Sequence, residues 1–420
     1  MIDIRNLKKG GGRLVRVCVC TSYSAEAEPR APRHAASLAS SGLPVEVIFV
    51  DCAPIGMTRR PPKVFDGLTN FTWRTHYFPS RTTRPFRMAL NRVSQKLRQL
   101  RFSTFGSTHA VALSSNVAGL QGLLQSLRAN IYFGHNIDTL SIVVRAATRL
   151  GALALFDSME YHSDMGDSQP ALEKRIVGAT EKEYLGQCAV VFASSDQMAD
   201  ALAQEYGIKQ PIRLYNVPPL EPVLPSKTAG RFDLYWRNST IGLGERGLDE
   251  ALTALSRLPG DIALHLQGNL PSDPRGGAVR SRIVELGVEA RVFIHPPCSP
   301  EDAVKEASRY TIGLCLERKC SRNHDLTVSN KIFDYHMGGL VTIASDLPGL
   351  SAVIQRSQGG LMFRPGQADD LVEKILLLYR DRKLVKQYAD NARYFALNEG
   401  NREEEMKRFI EAFSKLLPKL

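Results

Sequence analysis

One ammonium and one carboxylate stand three residues apart in a stretch that otherwise reads as buried. They are Lys331 and Asp334, within Ser329-Asn330-Lys331-Ile332-Phe333-Asp334-Tyr335-His336-Met337-Gly338-Gly339. A carboxylate can accept hydrogen bonds from two adjacent hydroxyls, and an ammonium can neutralise a phosphate. The ordinary alternative is an i,i+3 charge pair on a helix surface. A second cationic group lies in Arg237-Asn238-Ser239-Thr240-Ile241-Gly242-Leu243-Gly244-Glu245-Arg246-Gly247. Its glycines allow the backbone to approach a phosphate closely. A flexible loop with a surface arginine would look the same. A third group follows two apolar runs: His135 after 130–134, and Asp157, Glu160 and His162 after 152–156. Polar residues at the carboxyl ends of strands lie where open α/β sheets bind ligands. Helix capping or core burial would also explain them.

These side chains need elements to hold them. Ile332, Phe333 and Met337 predict a short helix, capped by Asn330 or Ser329 and stopped by Gly338 and Gly339. Leu340 to Ala344 is a five-residue apolar run, the mark of a strand covered on both faces. Pro348-Gly349-Leu350 opens the next helix, and Gln267-Gly268-Asn269 ends another strand. Further strands are expected at 13–20, 45–50, 189–193, 234–236, 262–266, 292–294, 311–316 and 361–363, with helices between them. This alternation is that of α/β units with parallel sheets. Three prolines between Leu220 and Gly230 mark a linker, so two such units follow in tandem. The expected domains are 13–217 and 218–400, with 401–420 a last helix.

The segment from Asn330 to Gly349 resembles the donor-site run of retaining glycosyltransferases of family 4, roughly N-K-[L/I]-F-E-Y-x-x-x-G-x-P-V-I-A-S-D-x-P-G. Arg33 to Gly42 resembles the first helix of their N-terminal domain, and Tyr215-Asn216-Val217-Pro218 its exit strand. The chain departs from the family in carrying Asp334 for Glu, Leu326 where a second Glu often stands, and Met159 for a His. The resemblance implies a GT-B fold, α/β with two doubly wound Rossmann-like domains facing a cleft. It implies transfer of a sugar, with retention, from a nucleoside-diphosphate donor, UDP-linked, to a hydroxyl, in polysaccharide or glycolipid assembly. His135, Arg246 and Lys331 would be catalytic. Asp334, Arg237, Gly268, Asn330, Gly349 and Leu350 would bind the donor, with Asp334 on the ribose and the cations on the diphosphate. Asp157, Glu160 and His162 would face the acceptor. No metal or other cofactor is expected, because no Asp-x-Asp motif ends a strand. A nucleotide-sugar epimerase and a catalytically silent subunit that binds partners or lipid are the competing readings of such a chain.

Composition bounds the rest. The chain has 420 residues, 43% hydrophobic and 23% charged, which is globular rather than disordered. Residues 1–12 do not read as a signal peptide. No run approaches the ~20 apolar residues of a membrane span. Seven cysteines without Cys-x-x-Cys spacing imply reduced thiols, no zinc site and a cytoplasmic setting. The net charge is +11, and residues 67–137 hold nine Lys or Arg and no Asp or Glu. Such a patch suits an acidic partner surface. Within it, Phe86, Leu90, Val93, Leu97 and Leu100 recur at helical spacing, among Arg87, Arg92, Lys96, Arg98 and Arg101. Two expectations follow: a helix lying in an anionic membrane interface, or one with its apolar face in the core and its basic face in water. The first would bring the enzyme, as a peripheral protein, to a lipid-linked acceptor at the inner membrane face. Nucleic acid is not an expected partner, since no zinc-finger, RNP or helix-turn-helix signature accompanies the charge.

Overall fold

The apolar runs become interior strands of two parallel sheets. The computed structural model describes residues 14–224 and 232–419. The reading of 1–12, the expected start of the first strand and domain at Arg13, and most of the linker's second half lie outside the described residues. The chain divides into one unit of residues 1–214 and 406–420 and another of 215–405.

The first unit carries β1 (Val15–Thr21), β2 (Val45–Pro54), β3 (Phe71–Phe78), β4 (Ile131–His135), β5 (Leu153–Ser158), β6 (Val190–Ala193) and β7 (Ile212–Arg213). Their order is β3-β2-β1-β4-β5-β6-β7, parallel throughout. The alternation Phe71-Thr72-Trp73-Arg74 marks β3, an edge strand absent from the expected set. Val17, Val19, Phe49, Phe133 and Phe192 pack with Phe409 and Phe413 of the last helix, Arg402–Ser414.

The second unit carries β8 (Asp233–Thr240), β9 (Ala263–Asn269), β10 (Val292–His295), β11 (Ile312–Cys315), β12 (Val341–Ser345) and β13 (Gly360–Phe363), ordered β10-β9-β8-β11-β12-β13. Leu234, Trp236, Leu264, Leu314 and Ile343 form its centre. In both sheets the order reverses beside the first strand, the topological switch point that leaves a crevice at the carboxyl ends. Each unit is therefore Rossmann-like, and the chain has the GT-B fold.

All seven cysteines are free thiols. Among the described residues no helix is long and apolar enough to cross a membrane.

Candidate active site

In the second unit the helix Lys331–Met337 packs on β11 and β12 and reaches β8 through Arg237. All seven residues of that helix are buried, Lys331 and Asp334 included. It lies close on the sheet because Gly313 of β11 leaves room: a Cβ there would come within 2.3 Å of the Tyr335 ring. Tyr335 in turn accepts a hydrogen bond from the Arg237 backbone N–H at 3.2 Å, tying the helix to the end of β8. Neither Asn330 nor a capping side chain starts the helix as expected. Asn330 is itself helical, with φ −54° and ψ −31°, is exposed, and caps no N–H.

The burial excludes a surface charge pair. Lys331 and Asp334 each take a partner from elsewhere in the sheet. Lys331 Nζ lies 3.0 Å from Glu317 Oε1, and Arg246 Nη1 lies 2.5 Å from Glu317 Oε2. Burial acts to raise the Glu317 carboxyl, but Lys331 and Arg246 outweigh it and bring it down to about 2. One carboxylate thus fixes two cations side by side. Asp334 pairs with the Arg237 guanidinium. Here burial wins over Arg237 and Arg402, and Asp334 is pushed up to about 6.

The Arg246 backbone is held from three sides. The Trp236 indole donates to its carbonyl at 2.9 Å, and the adjacent Glu245 carbonyl accepts from the Arg318 N–H at 2.8 Å. Gly247 follows at φ +68°, with a would-be Cβ only 2.2 Å from the Leu316 carbonyl. No side chain fits there, so the loop presses against the end of β11 and brings Arg246 to Glu317. Gly268 and Gly349 also mark close packing. A Cβ at Gly268 would sit 2.1 Å from the Asn238 carbonyl, and one at Gly349 2.5 Å from that of Thr327. Leu350 is fully buried among Ile332, Phe333 and Val353, so only its backbone could meet a ligand.

In the first unit the parallel register sets His135 of β4 opposite Asp157 of β5. Both are fully buried. Arg30 Nε and Nη2 donate to the two Asp157 oxygens at 2.6 and 2.9 Å, and Nη2 also donates to the Leu214 carbonyl. His135 Nδ1 is 3.2 Å from Asp157 Oδ2, while His135 Nε2 is buried with no hydrogen-bond partner. Burial favours a neutral Asp157, yet Arg30 and His135 hold its carboxyl well below the usual range. His34 stacks on Phe409 at 4.6 Å and Phe133 at 5.7 Å, kept neutral by burial. His162 opens a short turn, half-buried, and burial lowers it to about 4. Glu160 is half-buried, and its carbonyl accepts from Ser158 Oγ at 3.2 Å. The residue beside His135, Asn136, has φ 72° and ψ 143°, a backbone conformation few non-glycine residues adopt. Thr21 Oγ1 donates to its side-chain carbonyl at 2.7 Å and holds it.

Among the described residues two groups place ligand-type atoms within 4.8 Å of one another: His34, His135 and Asp157, and Glu245, Cys320 and His324. In the first, the Arg30 guanidinium already occupies both Asp157 oxygens and would repel a cation.

Residues 25–216 match the family described as glycosyl transferase 4-like domain. That match falls almost wholly within the N-terminal unit, which is thus similar to a glycosyl transferase 4-like domain. Among solved structures, a glycosyltransferase from Rickettsia africae is 14% identical, with 97% of this chain and 99% of that one covered at a TM-score of 0.68. Anabaena Alr3699/HepE, solved with UDP, is 12% identical, covering 96% and 100%, with a TM-score of 0.69. The sucrose-phosphate synthase of Thermosynechococcus elongatus is 14% identical, covering 97% and 100%, at 0.69. At these identities the likeness is one of fold. No curated protein matches the sequence.

Three polar residues of these clusters escaped sequence reasoning. In the first unit they are Arg30 and His34. Four residues apart, they share a helix face with Ala31, Ala35 and Leu38, so helical periodicity alone places them inward. In the second unit it is Glu317, the first charge after the apolar run 311–316. A carboxylate at that strand end was a visible signal.

Proposed function

We propose that this protein transfers a sugar from a nucleoside-diphosphate donor, UDP-linked, to a hydroxyl acceptor with retention, in polysaccharide or glycolipid assembly. The observation that carries the reading is the paired cations Arg246 and Lys331, fixed by Glu317 beside the Arg237–Asp334 pair at the strand ends of the second unit. Arg246 and Lys331 meet the diphosphate, whose negative charge grows as the bond to the sugar breaks. Preformed cations stabilise that charge without reorganising during the step. Asp334, ionised at neutral pH, accepts from the ribose hydroxyls, with Arg237 beside it. Gly268 and Asn330, and the backbone at Gly349 and Leu350, complete the donor site. The UDP complex of Alr3699/HepE supports the nucleotide class.

The acceptor oxygen bonds to the anomeric carbon on the face from which the phosphate leaves, and its proton passes to the departing phosphate oxygen. No strong protein base is required. His135, with its unpartnered Nε2, shapes the sugar pocket, and Asp157, Glu160 and His162 line the acceptor side, Asp157 by orienting His135. The two cations take the part that a divalent metal plays in other transferases, so turnover continues in EDTA.

The test is a thermal-shift series with UDP, GDP, ADP and CMP on wild type and Asp334→Ala. A ligand at 100 times its dissociation constant adds ~2.7 kcal/mol, which such an assay registers. UDP alone should stabilise wild type and fail on the variant. Stabilisation by none of the four at millimolar concentration would overturn the reading. Conversion of a UDP-sugar to its epimer without acceptor would replace transfer by epimerisation.

A further inference from the structure

The helix Pro85–Phe105 of the N-terminal unit turns its apolar stripe outward. Phe86, Leu90, Val93, Leu97 and Leu100 recur at intervals of four, three, four and three, which places them within an arc of ~80° on a helical wheel. All five are more than half exposed, from 52% to 75%. The opposite face is the one that packs. Gln95 and Gln99 donate to the Ala112 carbonyl, and Gln95 to that of Leu113. Phe102, the only buried residue of the helix, joins Ala112 and Ile176. The expectation that the apolar face would lie in the core therefore fails. Apart from Phe102, the inward face meets its neighbour through amides, Gln95 and Gln99 on the carbonyls of Ala112 and Leu113.

An exposed stripe of this length needs a reason. Its flanks supply one. Arg87, Arg98 and Arg101 lie along one side and Arg92 and Lys96 along the other. Four of these are exposed and Arg98 is half-buried. None of the five has a carboxylate partner among the described residues, and the surrounding segment 67–137 holds no acid to supply one.

We propose that this face docks on an anionic phospholipid surface, the apolar stripe entering the boundary between headgroups and acyl chains and the flanking cations meeting lipid phosphates. The charge pattern selects this occupant. A second copy of the chain would set cations against cations with no acid between them. A nucleic acid would answer the cations and leave the central stripe in water. The proposal is separate from the donor site, and its test needs no nucleotide.

The experiment is flotation of the full chain with vesicles of phosphatidylcholine alone and of phosphatidylcholine mixed equally with phosphatidylglycerol. Wild type should float with the anionic vesicles and at least about tenfold less with the neutral ones. The pair Leu90→Ser/Leu97→Ser and the pair Arg92→Glu/Lys96→Glu should each cut flotation about tenfold or more, with unchanged melting temperature. Equal partition of wild type on both vesicles would overturn the proposal. So would full flotation of both variants. A wild-type dimer that the serine variant turns into a monomer would assign the face to a second copy instead.

Discussion

The helices Lys331–Met337 and Pro85–Phe105 bury opposite chemistry. The first, seven residues long, takes an ammonium and a carboxylate into the interior. The second, three times that length, leaves six large apolar side chains in solvent, the five of the stripe and Phe105, and buries only Phe102. Neither follows the rule that apolar side chains go in and charges stay out. Each exception has a physical cause. Buried charge is tolerable only where opposite charge is already fixed, and here Arg237 of β8 and Glu317, just after β11, supply it. Exposed apolar surface is tolerable where flanking cations keep the face soluble and another phase can cover it. Departures from the hydrophobic rule thus mark both the proposed donor site and the surface that we propose meets lipid.

The contrast can be broken or sharpened by substitution. The largest effect is expected at Phe333, buried among Ile332, Leu350 and Tyr215. Phe333→Ala should cost ~3–5 kcal/mol by urea denaturation. A loss below ~1 kcal/mol would mean that the short helix is not the packed element described. Next is Glu317→Gln, which leaves Lys331 and Arg246 without their counter-charge and should cost on the order of 3 kcal/mol at neutral pH. The sign with pH is fixed. The folded carboxyl, at about 2, lies below its ordinary 4.5. Its stabilisation is present above 4.5 and is lost as the pH falls through about 2, so the gap between variant and wild type should narrow across that window. A gap of constant size from pH 7 down to pH 2 would show that the ion pairs are not its source. The smallest effect belongs to the long helix. Phe86→Ala removes a phenyl ring yet should change stability by less than ~0.5 kcal/mol, because the ring is 75% exposed. A loss comparable to that of Phe333→Ala would mean that the outward face is covered in solution.

Much of the proposed donor site was legible because its residues cluster in sequence. Lys331 and Asp334 share one turn, and Arg246 stands beside the glycine that lets its loop close on β11. The helix–glycine–strand order around them follows from local rules for caps, stops and apolar runs. Glu317 was readable in principle as the charge after a buried strand, and Arg30 and His34 by their helical spacing. Nothing local joined Arg30 to Asp157, since 127 positions separate them and only the sheet brings them together.

By itself the sequence determined the alternation of strands and helices, the division into two α/β units and the identity of the charges near the strand ends. These depend on periodicity and backbone preference, which act over a few residues. The tertiary structure alone decided which charges pair. Lys331 and Asp334, the pair adjacency suggests, turn to Glu317 and Arg237 instead, because burial makes each seek the partner that the sheet presents. It also decided which face of the Pro85–Phe105 helix looks outward. A helical wheel states that two faces differ. Only the carbonyls of Ala112 and Leu113, waiting for Gln95 and Gln99, settle which one turns in.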